Sequence, residues 1–316
     1  MNMSTKILIE AFQIIIVLLG APLLVGWVRM LKCWSQGRSA AGALQPFRDL
    51  LKLFSKDVML AENASWVFRF TPYVAFGSKL LAGAIIPIVS TELPLAATAD
   101  VIALVALFGV ARFFTALAGM DIGTSFGGMG SSREMMVASL AEPAILMSVF
   151  TVSLIGHSTS LSQIVHVMQE GNFLLRPSLA FACLSFVFIA LAETGRVPVD
   201  NPATHLELTM LHEAMILEYS GRHLALMEWA KMMKLLIIVS LGLSFSFPWG
   251  IHSGEDISSL FPALGFLALK LMAAGMGIVL IEAMMAKMRI FRVPEFLGSA
   301  FLFATLGMLS YFMLET

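Results

Sequence analysis

Long apolar runs alternate with short charged segments along the whole chain. Runs of about 17–25 residues, enough to cross a ~30 Å hydrocarbon core as a helix, begin near Ile7, Phe70, Val101, Val137, Ser178, Met232, Leu260 and Phe296. The pattern predicts a bundle of eight transmembrane helices, an all-α integral membrane protein forming one domain over residues 1–316. Pro72 and Pro177 suit helix starts, and Pro248 followed by Trp249 suits an interfacial stop. The first run is too long for a signal-peptide core and no small-residue cleavage site follows it. The halves show no internal repeat, which argues against the inverted-repeat build of many secondary transporters.

Charge orients this bundle. Sixteen of the 20 Lys and Arg fall in the loops after spans one, three, five and seven or at the adjoining helix ends, Arg112, Lys231 and Lys234 among them. Positive residues stay on the cytoplasmic side, so both termini are expected outside the cytoplasm. Those loops are patterned. Gln45–Asp57 mixes Leu50, Leu51, Leu53 and Phe54 with Arg48, Asp49, Lys52 and Lys56, which predicts an amphipathic interfacial helix. Such a helix either docks a soluble partner or only anchors the loop. Gly119–Glu134 is a glycine-rich loop without a phosphate-loop pattern; a hinge or a partner-packing surface, with Arg133 and Glu134 as docking charges, fits it better.

Composition agrees with the membrane class. Hydrophobic residues make up 58% and charged residues 13%, against about 25% charged in soluble domains. A net charge of −1 gives no field for nucleic acid. The two cysteines, Cys33 and Cys183, are too few and too far apart for an iron–sulfur cluster. No cofactor is therefore expected in this chain.

Against that background, five ionisable residues inside apolar runs stand out: Lys79, Glu142, Glu193, Lys270 and Glu282. Each would cost about 2.5–3.5 kcal/mol at a helix centre without a partner. Such groups either face a wet path or pair statically; their number beside a charged loop favours the path. Glu142 precedes Pro143, whose ring frees a carbonyl that protein or water must satisfy. The densest loop, Ala192–Gly221, holds Glu193, Arg196, Asp200, His205, Glu207, His212, Glu213 and Glu218. From Thr204 onward its spacing predicts a helix with His205, His212 and Tyr219 on one face. Buried carboxylates and histidines titrate near neutrality and can pass protons. His205 and His212 lie about 10.5 Å apart along such a helix, too far for one metal ion, and no Gly-x-Ser-x-Gly nucleophile is present.

The run GRVPVDNPATHLELT, then HEAM and LEYSG, together with QPFRDLLKLF and GMDIGTSFGGMGSSRE, resembles the eight-helix membrane subunit shared by respiratory complex I and group 4 membrane-bound [NiFe]-hydrogenases. The likeness is greatest to the formate hydrogenlyase and hydrogenase-4 branch. Ala203 and His205 stand where complex I members carry further acids, and Ser39–Gly42 replaces a basic Arg-Gly-Pro element. The resemblance implies a hetero-oligomer in a bacterial or archaeal cytoplasmic (inner) membrane. Its partners would be hydrogenase-like large and small (Fe–S) subunits, with or without a NiFe centre, and antiporter-like membrane subunits. It implies that Glu142, Glu193, Glu207 and Glu218, with Arg196 and Asp200, link redox chemistry in a docked cytoplasmic arm to movement of protons or sodium ions. Glu213, Lys79, Lys270 and Glu282 join them as expected ion-path residues, and His205 and His212 as part of the coupling loop. A quinone-reactive subunit of a NADH-dehydrogenase-like complex and a stand-alone secondary ion transporter are the alternatives.

Overall fold

In a bilayer no water reaches the backbone, so an apolar run must close its hydrogen bonds within a helix. Each of the eight apolar runs falls on a long helix in a computed structural model that describes residues 3–95, 99–170, 176–200, 211–251 and 260–314. These are α1 (Met3–Ser35), α3 (Trp66–Ile85), α4 (Val101–Asp121), α5 (Ser125–Ile155), α7 (Pro177–Glu193), α9 (Gly221–Ser246), α10 (Leu260–Met284) and α11 (Val293–Leu314). Three short helices join them: α2 (Gln45–Phe54), α6 (Leu161–Glu170) and α8 (His212–Ile216). By length and apolar composition alone, α1, α4, α5, α10 and α11 can cross a membrane, while α7 is apolar but only 17 residues long. A 3-10 turn, Ile290–Arg292, precedes α11, and the described residues include no multi-residue strand.

One local reading changes. Most of the glycine-rich stretch is helical: only Ile122–Thr124 separates α4 from α5, with Gly123 at φ +74° and the Thr124 hydroxyl accepting from the Gly127 amide. Glycine disfavours helix in water but lets backbones approach inside a packed bundle. A Cβ on Gly127 would lie 2.2 Å from the Gly119 carbonyl oxygen, and one on Gly130 would meet Ala214 at 2.9 Å. The packing surface is therefore used within the chain, against α4 and α8. The segment between α5 and α7, for which the sequence sets no expectation, contains α6, whose Leu161, Ile164, Val165 and Met168 are buried. Of the helix expected from Thr204, the described part is α8 alone; His205 and Glu207 lie outside the described residues.

The bundle packs α3 on α4 and α9, and α5 on α7 and α11. Side chains cap exposed carbonyls across it. The fully buried Gln13 of α1 donates to the carbonyls of Gly83, Ala84 and Ile86 at 3.0, 3.1 and 2.7 Å, closing the end of α3. Ser148 and Ser185 donate to the Ala182 and Ala300 carbonyls at 2.9 and 2.7 Å, stitching α5 to α7 and α7 to α11. Helix α10 stands apart: it rests on α1, touches α9 only lightly, and buries only Ala263, Gly275 and Val279.

Candidate functional site

At one end of the bundle, charges from six helices converge. Arg112 of α4 is at their centre. Its Nη2 donates to both carboxylate oxygens of Glu193 at the end of α7, and its Nη1 to Glu142 Oε1 of α5 at 2.6 Å. Its Nε lies 3.7 Å from Glu134 Oε1, two helical turns before Glu142 on α5. Lys234 of α9 reaches Glu193 from the other side at 2.7 Å. One turn earlier, Lys231 pairs with Glu213 of α8. The buried Lys79 ammonium of α3 sits 4.2 Å from the Phe108 ring centroid, a cation–π contact. Among the described residues no carboxylate comes within ion-pair distance of it.

Four cations, Arg112, Lys79, Lys231 and Lys234, thus face four carboxylates, Glu134, Glu142, Glu193 and Glu213. This balance is how a bundle can hold so many charges: an isolated buried ion costs several kcal/mol, and good geometry with a counter-ion offsets it. The cluster is not filled solid. A cavity of about 70 Å³ runs among Lys79, Arg112, Glu193, Asp200, His212 and Lys234. A polar cavity needs about 10–15 Å³ of such volume to admit a water, so this one has room for more than one. The cavity joins Glu193 to the loop residues Asp200, His212 and Glu213. From Glu193, Arg112 carries the connection to Glu142, whose side chain is 42% exposed on the flank of the bundle.

The loop members differ in protonation. Desolvation, aided by the Lys231 charge, holds His212 down to about 3, so it is neutral in the folded chain at physiological pH. Burial would raise Glu213, but the Lys231 ammonium outweighs it and keeps the carboxyl below its ordinary range. Burial pushes Tyr219 up; its hydroxyl donates to the Phe68 carbonyl at 2.9 Å and its ring stacks on Phe68. Among the described residues no three His, Cys, Asp or Glu side chains come together as a metal site.

Several expected residues are elsewhere. Glu282 of α10 pairs with Lys32 at 3.0 Å and Arg196 at 2.7 Å, a separate triad. Asp200 is at the cavity but pairs away from the cluster: buried, it accepts from the Leu211 amide and faces Lys287 at 3.5 Å. Lys270 lies on the α10 face and donates to the Phe247 and Trp249 carbonyls, which close the end of α9. Glu218 is exposed on the turn after α8. In the first loop, Asp49 accepts from Gln45 at 3.0 Å and lies 3.7 Å from Arg29, while Arg48 and Lys52 share α2 with it. Glu134, expected to face a partner beside Arg133, instead turns inward to Arg112.

Sequence reasoning missed Arg112, Lys231 and Lys234, which it spent on orientation. The signal was available. Arg112 stands in the twelfth position of an apolar 21-residue helix, and Lys231 and Lys234 share one face of α9 at i, i+3.

Comparisons agree on the kind of chain this is. Residues 9–313 match the family described as NADH dehydrogenase. Formate hydrogenlyase subunit 4 of Escherichia coli is 31% identical over 305 residues, 96% of this chain and 98% of its own length. Hydrogenase-4 component C of the same organism is 32% identical over 82% of this chain and 81% of its own length. A subunit of the NADH-quinone oxidoreductase of Salinibacter ruber is 29% identical over 78% of this chain and 74% of its own length. A chain in the structure of the membrane-bound sulfane sulfur reductase, an archaeal respiratory membrane complex, shares the fold with a TM-score of 0.83 at 20% identity, over 97% of this chain and 99% of that one.

Proposed function

Because the chain belongs to the NADH dehydrogenase family, a multi-pass membrane protein with relatives in multi-subunit complexes, we propose that it anchors a redox arm and couples it to ion movement. In this reading all eight long helices span the membrane. The charged end of the bundle faces the cytoplasm and both termini lie outside. Hydrogenase-like and Fe–S subunits dock on the loops, and antiporter-like subunits adjoin the flank. The redox centres belong to those partners; this chain contributes the charge network.

The observation that carries the reading is the unbroken line from the loop acids through the cavity to Glu193, Arg112 and the half-exposed Glu142. Movement of α8 or of the segment around Asp200 changes the cavity that solvates Glu193. When Glu193 takes up a proton, Arg112 and Lys234 lose their shared counter-ion and their attraction shifts toward Glu142 and Glu134. That stronger attraction favours the ionised form of Glu142, so a proton held there leaves from the exposed flank of α5 toward a neighbouring subunit, while Arg112 itself stays charged.

The test uses the assembled complex in inverted membrane vesicles, with redox turnover and a pH-sensitive dye read together. Glu193→Gln and Glu142→Gln should each abolish the dye response while redox turnover and assembly persist. A full response in both variants would sink the coupling role and leave an anchor.

A further inference from the structure

Helix α10 rests on α1, where Trp27 Nε1 donates to the Met272 carbonyl at 3.3 Å, but on its other side it stands off α7 and α9 between two tethers. At one end Glu282 holds Lys32 of α1 and Arg196 after α7; nearer the other, Lys270 donates to the last carbonyls beyond α9. Between these tethers, α7, α9 and α10 enclose a groove of about 230 Å³. Its walls are apolar, with Phe186, Val187, Leu235, Ile238 and Ile278 facing it. Along α9 it runs from Leu235 to Phe247, about 18 Å at 1.5 Å per residue. That is the depth of one leaflet, about half of a 30 Å hydrocarbon core.

A groove with such walls does not hold ordered water, and a void there forfeits dispersion contacts on every side. A hydrocarbon chain fills it. The charge at its mouth chooses the headgroup. Arg196 lines the groove itself, and it shares one carboxylate, Glu282, with Lys32. With the neighbouring Lys287, Arg289 and Arg292 set against Asp200 and Glu295, this end of α10 carries an excess of positive charge. We propose that the α7–α9–α10 groove binds one acyl chain of an anionic phospholipid, whose phosphate sits at the Arg196–Lys32 end. The lipid is then an integral wedge that sets the spacing of α10. This rests on the chain being a multi-pass membrane protein and not on its coupling role, and the test below reads no ion movement.

Gly277 supplies the means of testing. It lines the groove, and a Cβ there would meet nothing within 4 Å, so a large side chain can fill the space without clashing at its root. The full chain is reconstituted in nanodiscs containing a trace of phosphatidylglycerol or phosphatidylcholine with a diazirine in the acyl chain, and labelled peptides are mapped. The phosphatidylglycerol probe should label residues 183–196, 235–247 and 274–281 in preference to the phosphatidylcholine probe. Gly277→Phe, and Ala274→Phe as a second filler, should cut that labelling at least about fivefold. Lys32→Gln should erase the preference between headgroups. Labelling that is uniform over the outer faces, or unchanged in both filled variants, overturns the site. Equal labelling by the two probes in the unaltered chain overturns the headgroup assignment. Exclusion of the lipid probe by a photoreactive quinone analogue that labels the same peptides overturns the choice of ligand.

Discussion

Replacing Glu193 with Gln removes one negative charge from the centre of the cluster and almost nothing else. The side chain is 3% exposed and serves both Arg112 and Lys234. Breaking a buried ion pair by deleting one partner costs about 3–5 kcal/mol, because the other charge stays buried. Here Arg112 keeps Glu142 at 2.6 Å, whereas Lys234 loses the carboxylate at 2.7 Å. The penalty therefore falls mainly on Lys234. At an unfolding entropy of about 2.1 cal/mol/K per residue, a kcal/mol moves the melting temperature of a 316-residue chain by about 1.5 °C, so Glu193→Gln should lower it by about 5–8 °C. Lys234→Met alone should cost less, since Glu193 retains Arg112. The double variant should melt well above the sum of the two losses, with a coupling of about 0.5–3 kcal/mol. Scanning fluorimetry of the purified complex in detergent reads all four members of the cycle. A Glu193→Gln shift within about 2 °C, or strict additivity in the double variant, would refute the claim that this pair is electrostatically joined.

Three further outcomes follow from the same geometry. His212 has its pKa lowered in the fold, so below its unfolded value of about 6.5 the unfolded chain takes up a proton that the folded chain refuses. Stability should decline as pH falls from about 6.5 toward 3, and His212→Gln should flatten that slope in melting curves taken from pH 7.5 to 5. Gln13→Leu should strand the carbonyls of Gly83, Ala84 and Ile86 and cost about 1–3 kcal/mol, seen as a lower melting temperature; an unchanged value would mean that the end of α3 finds another donor. Gly130→Val should cost about 1–3 kcal/mol through overpacking against Ala214 and the Leu211 carbonyl, and should speed proteolysis near α8 relative to Gly128→Val, whose Cβ meets nothing.

Hydrophobic periodicity located every long helix, because apolar runs of that length have few other ways to satisfy their backbone. It misjudged the start of α5. Glycine weighs against helix in a local reading, and only the approach of Gly127 to Gly119 and of Gly130 to α8 shows what the missing side chains permit. Glu142 and Glu193 were legible as costly charges in apolar surroundings. Their partner Arg112 was not, because a count of loop cations treats a charge near a helix end as a topological marker, whichever way its side chain points. Lys270 illustrates the opposite limit. Its partners are the carbonyls of Phe247 and Trp249, and no residue pattern announces a backbone acceptor.

The turn between α4 and α5 is only Ile122, Gly123 and Thr124, and the arms are laced above it by the Ser131 hydroxyl bonded to the Ala116 carbonyl at 2.9 Å. Arg112 is carried on one prong and Glu134 and Glu142 on the other, so the three ride together as a stiff fork. No sliding within that fork can separate the guanidinium from its two companions on α5. A stroke started in α8 or around Asp200 therefore reaches Glu193 from the cavity side, through the tip of α7 and the lysine-bearing face of α9, and spectroscopic distance labels belong on α7, α8 and α9.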